Sequence, residues 1–543
     1  MNLASTNSHP QCVLAIDLGS GGPKAILYSA DGRLLASASR KVDTYLTADG
    51  GGEQDANQWW RAVCEAAREV TAAGVVPRES IVAIACATQW SVIVPVDQAG
   101  EPLHNAIHWT DSRGARHTKR VMDGPIKVSG YGVRQLIRWL RMTGGVPTHS
   151  GADSLAHVLF LKHERPDVYR AAYKLLEPMD FINFRLTGRC AASYSTAFPY
   201  LLTDNRNARR IDYDPVLLAW SGVDREKLPD LLPVDTVLGP VKPEMAELWG
   251  VPRETPVVIG IGDTQAALVG SGAVAEYAGH VCVGTTSWMS CHVPFKKTHI
   301  GNFIATMPAA LPGRNMVMAE QGAAGKCLET FLDQWLLADD ALSHAPRPAD
   351  AWERLEQLVS SVAPGSDGLI FLPWLNGAGP PSGDADMRGG FWNQSLLHHR
   401  GHAARAVMEG VTYNLRWVRD AIGRFTGRPF AELNFIGGGA RSPTWCQTLA
   451  NVLNVPVRQM ADPTYALARG AALTALAALG KLPLEEIPRV VKVRATFEPQ
   501  AEHRATYDEL FKAFLAAYKA NRPLFRRLNR SPLRRPAIAD PPA

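Results

Sequence analysis

The first strong pattern in the chain is an apolar run, Val13 to Ile16, that stops on a carboxylate, Asp17. A glycine-rich turn follows, then a second apolar run through Leu27. Short, uninterrupted apolar runs bounded by turn residues predict buried strands. The pattern recurs in IVAIACATQ (81–89), TPVVIGIGD (255–263), HVCVGTTS (280–287) and LNFIGGGARS (433–442). A further strand is predicted from Leu34, and WSVIVPVDQAGEP (90–102) reads as strand and turn. Between them lie stretches with helical spacing. Residues 57–71 set Trp59, Trp60 and Val63 on one face, and RQLIRWLRM (134–142), SLAHVLFLKHERPDVYRAA (154–172) and FINFRLTG (181–188) follow. LARGAALTALAALG (467–480) predicts a small-residue helix suited to close packing under a ligand. Periodicity is weak over 120–155. Strands alternating with helices predict an α/β protein with parallel or mixed sheets covered by helices.

At 543 residues the chain exceeds one hydrophobic core, which predicts two large domains. They are placed at 12–258 and 259–520, with a basic Pro/Arg tail at 521–543 expected to be disordered. The formal charge of +5 rests on that tail: Arg522, Arg526, Arg527, Arg530, Arg534 and Arg535 outweigh it. The rest of the chain therefore carries no basic surplus that would point to nucleic acid. Eight scattered cysteines without a CxxC pair fit a reducing compartment. Residues 1–11 lack the apolar stretch of a signal peptide, and no long apolar run predicts a membrane span. The expectation is a cytoplasmic enzyme or binding protein.

The glycine turns carry the chemistry. Gly19, Gly21 and Gly22 can adopt positive φ or admit a ligand close to the backbone, and turn N–H groups form an anion-binding concavity. Asp17, ending the first strand, is well placed to hold a cation beside such an anion. Gly284, Thr285, Thr286 and Ser287 end a second strand. Gly437, Gly438, Gly439 and Ala440 end a third before a helix near Ser442, with Pro443 in its first turn. Each turn alone also fits an ordinary hairpin or cap.

Together, and in this order, DLGSGG, GIGDTQAALVG, VGTTS and FIGGGARS resemble the FGGY carbohydrate kinases. GGEQDANQWW (51–60), AIHWTDSRG (106–114), the stretch from FLPWLNGAGPPSG to ARAVMEGVTYNLRW (371–417) and FEPQAEHRATYDELFKAFLAAY (497–518) extend the resemblance, most closely to xylulokinases, over about 12–520. It implies the two-domain sugar kinase/actin/Hsp70-like (ribonuclease H-like) α/β fold, with the active site in the cleft between domains. It further implies ATP and Mg²⁺ as cofactors and a small sugar or polyol as substrate, without nucleic acid or membrane. Family members are often homodimers.

On this resemblance Asp263 is the general base that deprotonates the sugar hydroxyl; a helix N-cap is its structural alternative. Asp17 becomes the metal and phosphate carboxylate. Gly19, Ser20 and Gly21 form the first phosphate loop, thinner in hydroxyls than is usual in the family, with Lys24 in reach. Gly284, Thr285 and Thr286 form the second loop, and Gly437, Gly438, Gly439 and Ala440 the adenosine loop. Gln89, Trp90, Asp111, Arg113 and Thr264 are the substrate-binding set, and Asp111 with Arg113 equally fits a structural ion pair. Asp153 is a softer addition.

Two departures bear on the substrate. Xylulokinases have Gln-Met-His where this chain has Gln89-Trp90-Ser91, and Gly-Glu-Arg-Thr-Pro where it has Gly377-Ala378-Gly379-Pro380-Pro381. A ketopentose such as D-xylulose is the leading reading. Ribulose, glycerol or a four-carbon polyol are alternatives, as is a nucleotide-binding sensor of the same fold with weak kinase activity. His398, His399 and His402 lack closed zinc spacing and are read as solvent histidines.

Overall fold

The apolar runs segregate into two sheets built to one plan. The structure, a computed structural model, describes residues 10–341, 344 and 347–530. In the first sheet, β1 (Cys12–Gly19), β2 (Gly22–Ser29), β3 (Leu34–Ser39), β4 (Ile81–Thr88) and β5 (Pro256–Gly262) lie in the order β5-β4-β1-β2-β3. In the second, β6 (Gly279–Val283), β7 (Ser287–Val293), β8 (Asn315–Gln321), β9 (Leu433–Ile436) and β10 (Val457–Met460) take the order β10-β9-β6-β7-β8. Short strands extend both sheets at their edges. Each sheet is mixed. Its first three strands are antiparallel neighbours, the fourth pairs in parallel with the first, and the fifth in parallel with the fourth.

Central strands buried on both faces explain why β1 reads as continuous apolar sequence rather than alternation. Leu14, Ile16 and Leu18 enter one core and Val13 and Ala15 another. On the outer face of the first sheet lies α1 (Ala56–Ala72), begun by Asp55 accepting from the Asn57 N–H and buried through Trp59, Val63 and Val70. On the inner face lies α2 (Asp263–Gly270). The outer face of the second sheet is covered by α3 (Arg400–Thr426) and α4 (Pro443–Leu453). The inner layer also takes α5 (Ala466–Ala478), and α6 (Arg504–Arg530) packs on Trp374 and Tyr413 outside the second sheet.

Two expectations are corrected here. A boundary at 258/259 would cut β5, which pairs in parallel with β4; the break between sheets falls at 263–278. The glycine strand ends look alike in sequence yet belong to two different sheets. The small-residue helix α5 packs closely on α2, β4 and β1, as its composition predicts. There Gly270 lies against the Ala466 carbonyl and Gly470 against that of Ala266, an approach that leaves no room for a Cβ. Finally, 521–530 is not a disordered tail but the end of α6, and Arg522 and Arg526 pair with Asp384. The rest of that tail, 531–543, lies outside the described residues.

All eight cysteines are free. Among the described residues no helix is long and apolar enough to cross a membrane.

Candidate active site

Strand register brings the first set of residues together. Leu18, Thr88 and Gly262 are level across β1, β4 and β5, so Asp17, Gln89 and Asp263 meet at one sheet edge. In the second sheet Cys282 is level with Ile436, and Trp288 with Glu320. This places the Gly284 turn, the Gly437 turn and Glu320 at the facing edge.

Asp263 is not an N-cap. Gly262 holds that position and Asp263 is the first residue of α2, with its carboxylate accepting from the Thr264 N–H at 2.7 Å. Burial, reinforced by the negative charges of Glu320 and Asp17, pushes its pKa up to about 8. Glu320 was not singled out from sequence. It lies inside NMVMAEQ, a strand without glycine punctuation, and bonds Thr286; burial raises it as well.

Burial also raises Asp17, opposed by Lys24 directly across the β1–β2 ladder, whose ammonium is 3.7 Å from Oδ2. Asp17 Oδ1 is buried and has no hydrogen-bond partner. An orphaned carboxylate oxygen beside a second carboxylate fits a hard divalent cation held by one or two protein ligands and by substrate phosphate. Among the described residues no His/Cys/Asp/Glu trio forms a preformed metal cage. The His398–His402 group is structural: His399 and His402 form a reciprocal cap on α3, and His402 bonds Asp367 at 3.0 Å.

On the second domain's side a cavity of about 630 Å³ opens between the two glycine turns. Gly284, Thr285, Gly438 and Gly439 line it. Gly437 is needed at φ 90°, where any side chain would strike the Val283 carbonyl, and it is not a lining residue. Ala440 is buried beneath the turn, its carbonyl accepting from Gln459 at 2.7 Å, and Thr286 faces Glu320 instead. Sequence reasoning missed Lys326, Trp352, Glu356, Arg441 and Thr464 on the lining. The carboxylate of Glu356 accepts from Ser442 Oγ, the N-cap of α4, and from the Thr444 N–H.

The first loop is a tight turn at Ser20 and Gly21, with Gly19 and Gly22 paired across it. Ser20 Oγ donates to Gln89 Oε1 at 2.7 Å and accepts from Trp109 Nε1 at 2.9 Å. Gln89 is buried and committed: its Nε2 donates to Gln54 Oε1 at 2.8 Å, and Oε1 also meets His108 Nε2 at 3.2 Å. An amide oxygen only accepts, so His108 Nε2 carries the proton. Burial and His157 lower the His108 pKa to about 4, which keeps the ring neutral. A histidine therefore touches Gln89 although the Gln89-Trp90-Ser91 run contains none.

Asp111, Arg113 and Thr264 are, like Gln89, occupied within the protein. Asp111 is fully buried, accepting from the N–H groups of Gly52 and Arg113 and pairing with the Arg113 guanidinium at 2.6 Å. Arg113 also pairs with Glu53 at 2.7 Å and stacks on Phe160. Thr264 is buried with its hydroxyl on Gln265 Oε1, and it is Gln265 Nε2 that lies buried without a partner. Asp153 caps the helix Ser154–Glu164. Trp90 remains half-buried beside Gly262, stacked on Phe198 with centroids 6.1 Å apart.

The chain is similar to known proteins over most of its length. The chain matches the FGGY family of carbohydrate kinases, N-terminal domain, over 12–270 and its C-terminal domain over 280–479. It is 27% identical to the xylulose kinase of Lactococcus lactis, covering 93% of this chain and 96% of that one. It is 25% identical to the gluconokinase of Bacillus subtilis, covering 87% and 88%. A ligand-bound xylulose kinase structure from Lactobacillus acidophilus superposes with a TM-score of 0.80 at 24% identity, over 95% of this chain and 99% of that one. With both domain models matched in order and one fold throughout, the chain belongs to the FGGY family of carbohydrate kinases, ATP-dependent phosphotransferases that act on sugar hydroxyls.

Proposed function

We propose that this kinase transfers the γ-phosphate of ATP to a hydroxyl of a ketopentose such as D-xylulose, with Asp263 as general base. The observation that carries the reading is the position of Asp263, at a strand end in the cleft with its pKa held near 8 and Asp17 and Glu320 beside it. The Asp263 carboxylate accepts the hydroxyl proton, the hydroxyl oxygen bonds to the γ-phosphorus, and the bond to the β-phosphate oxygen breaks to release ADP. Asp17 would hold Mg²⁺, which when bound neutralises charge on the phosphates. Backbone at Gly284 and Thr285 would take the phosphates, and the cavity over Gly438 and Gly439 the adenosine. The Trp90–Phe198 pair offers an apolar face to the sugar. The Ser20–Gln89–His108 network would form a fixed polar wall, with Asp111 and Arg113 holding that wall rather than the substrate. The eight free thiols fit a cytoplasmic setting.

A second reading, a different polyol or sugar acid, rests on the aromatic Trp90 and the committed Gln89, and on the gluconokinase among the relatives. ADP release with Mg-ATP across ketopentoses, aldopentoses, C3–C6 polyols and gluconate decides between them. Strong stimulation by D-xylulose, lost with EDTA and in Asp263→Ala, supports the first reading. Preference for another substrate overturns the ketopentose; ATP binding without stimulation by any compound points to a sensor.

A further inference from the structure

The segment that follows Trp374 crosses the catalytic edge of the second sheet without a charge of its own. Residues 377–383 read Gly-Ala-Gly-Pro-Pro-Ser-Gly. Gly379 lies against the Glu320 carbonyl with no room for a side chain, and Gln321 Nε2 donates to the Pro380 carbonyl. The loop therefore rests on the end of β8, where Glu320 raises the pKa of Asp263. Its two limbs are tied at Ala378 and Asp384, which exchange backbone hydrogen bonds of 2.8 and 2.9 Å.

Asp384 is the anchor. It is a buried carboxylate, and α6 supplies both of its cations: Arg522 Nε at 2.6 Å and Arg526 at 3.1 Å. One turn on, Asn529 Nδ2 donates to the Asp386 carbonyl at 2.8 Å. The earlier turns of α6 have a separate hold on the domain, through Tyr507 on Glu409, Arg416 on Asp508 and the packing of Phe514 and Tyr518 on Trp374. The last turns are thus not needed to dock the helix. Their polar contacts converge on the far end of this loop.

We infer that Arg522 and Arg526 are positioning residues for catalysis: by neutralising buried Asp384 they fix loop 377–383 on the strand end that carries Glu320. Removing the cations leaves a buried carboxylate without its charge partners, and Asp384 must move toward water, taking Ala378 and the loop with it. A loop displaced by an ångström misaligns the reacting groups and admits water to the phosphates.

The test is the double variant Arg522→Gln/Arg526→Gln, with Arg522→Lys as the conservative control. Both arginines are partly exposed, so the core is untouched. Amide exchange over 376–388, which needs no substrate, should speed up by about tenfold or more in the double variant and stay near wild type in the lysine control. The kinetic arm rests on the kinase activity alone. There kcat should fall about tenfold or more with KM for ATP within about threefold, and ATP hydrolysis without sugar should rise relative to transfer. Unchanged exchange with unchanged kcat overturns the inference. So does a kcat loss that merely follows a lower folded fraction in a thermal melt, or faster exchange with kcat intact.

Discussion

Replacing Asp263 with asparagine separates what the carboxyl costs the fold from what it does for the chemistry. Its pKa in the folded chain is about 8, against about 4 for an unfolded aspartate. The folded state thus prefers the neutral carboxyl. Stability is unaffected below about pH 4, falls as pH rises toward 8, and is flat beyond. A difference of that size corresponds by linkage to roughly 5 kcal/mol, and solvent reaching the partly buried side chain at the cleft reduces it to about 1–3 kcal/mol. The asparagine amide keeps the shape and never ionises. Asp263→Asn should therefore raise the apo melting temperature by about 2–6 °C at pH 9, with the gain shrinking by more than half at pH 5. The same variant should lose about 10²–10⁴-fold in kcat. Scanning fluorimetry at the two pH values and coupled ADP release measure both. A gain equal at pH 5 and pH 9, or absent at both, would sink the desolvation argument. Turnover within tenfold of wild type would remove Asp263 as the base.

Two further substitutions probe the rest of the site. Beside Gly438 a Cβ meets only open space, so Gly438→Leu should fold normally and project into the cavity; KM for ATP should rise about tenfold with kcat within about threefold. Asp111→Asn leaves the Arg113 guanidinium short of a buried partner and should cost about 3–5 kcal/mol in urea unfolding. Its surviving folded fraction should keep the sugar KM of wild type, whereas a substrate-binding aspartate would raise it.

The strand ends were legible because their signals are local. A buried strand that stops on glycine or a carboxylate writes its boundary and its chemistry into a few adjacent residues, as at Asp17, Asp263 and the Gly284 and Gly437 turns. The partners of those residues were not legible, because they depend on which distant segment folds alongside. Gln89 offers an amide in sequence; only the fold shows it shared among Ser20, Gln54 and His108. Asp111 and Arg113 fit a ligand or an ion pair equally well in sequence; the fold shows them paired to each other and used by Glu53 and the Gly52 N–H, some 60 residues earlier. Arg522 looked like part of a solvated tail because its carboxylate lies 138 residues away. Glu320 gave no signal at all, since a charged residue just past an apolar run, without glycine beside it, reads as an ordinary strand end meeting solvent.

The origin of the three carboxylates has a consequence for the chemistry. Asp17 stands on β1 and Asp263 directly follows β5, two strands of the first sheet in fixed register through β4, whereas Glu320 stands on β8 of the second. The Asp17–Asp263 relation is therefore built into one sheet. The distance from Asp263 to Glu320 depends on how the two domains sit, as does the distance to the Gly284 and Gly438 turns. Glu320 is the leading charge that raises Asp263, so a rearrangement that alters the domain contact alters the proton affinity of the base as well as access to the nucleotide cavity. Loop 377–383 rests on the strand that carries Glu320. A fixed loop thus stabilises the side of the cleft that the first sheet cannot control, which is why its anchor on α6, remote from any substrate, bears on turnover.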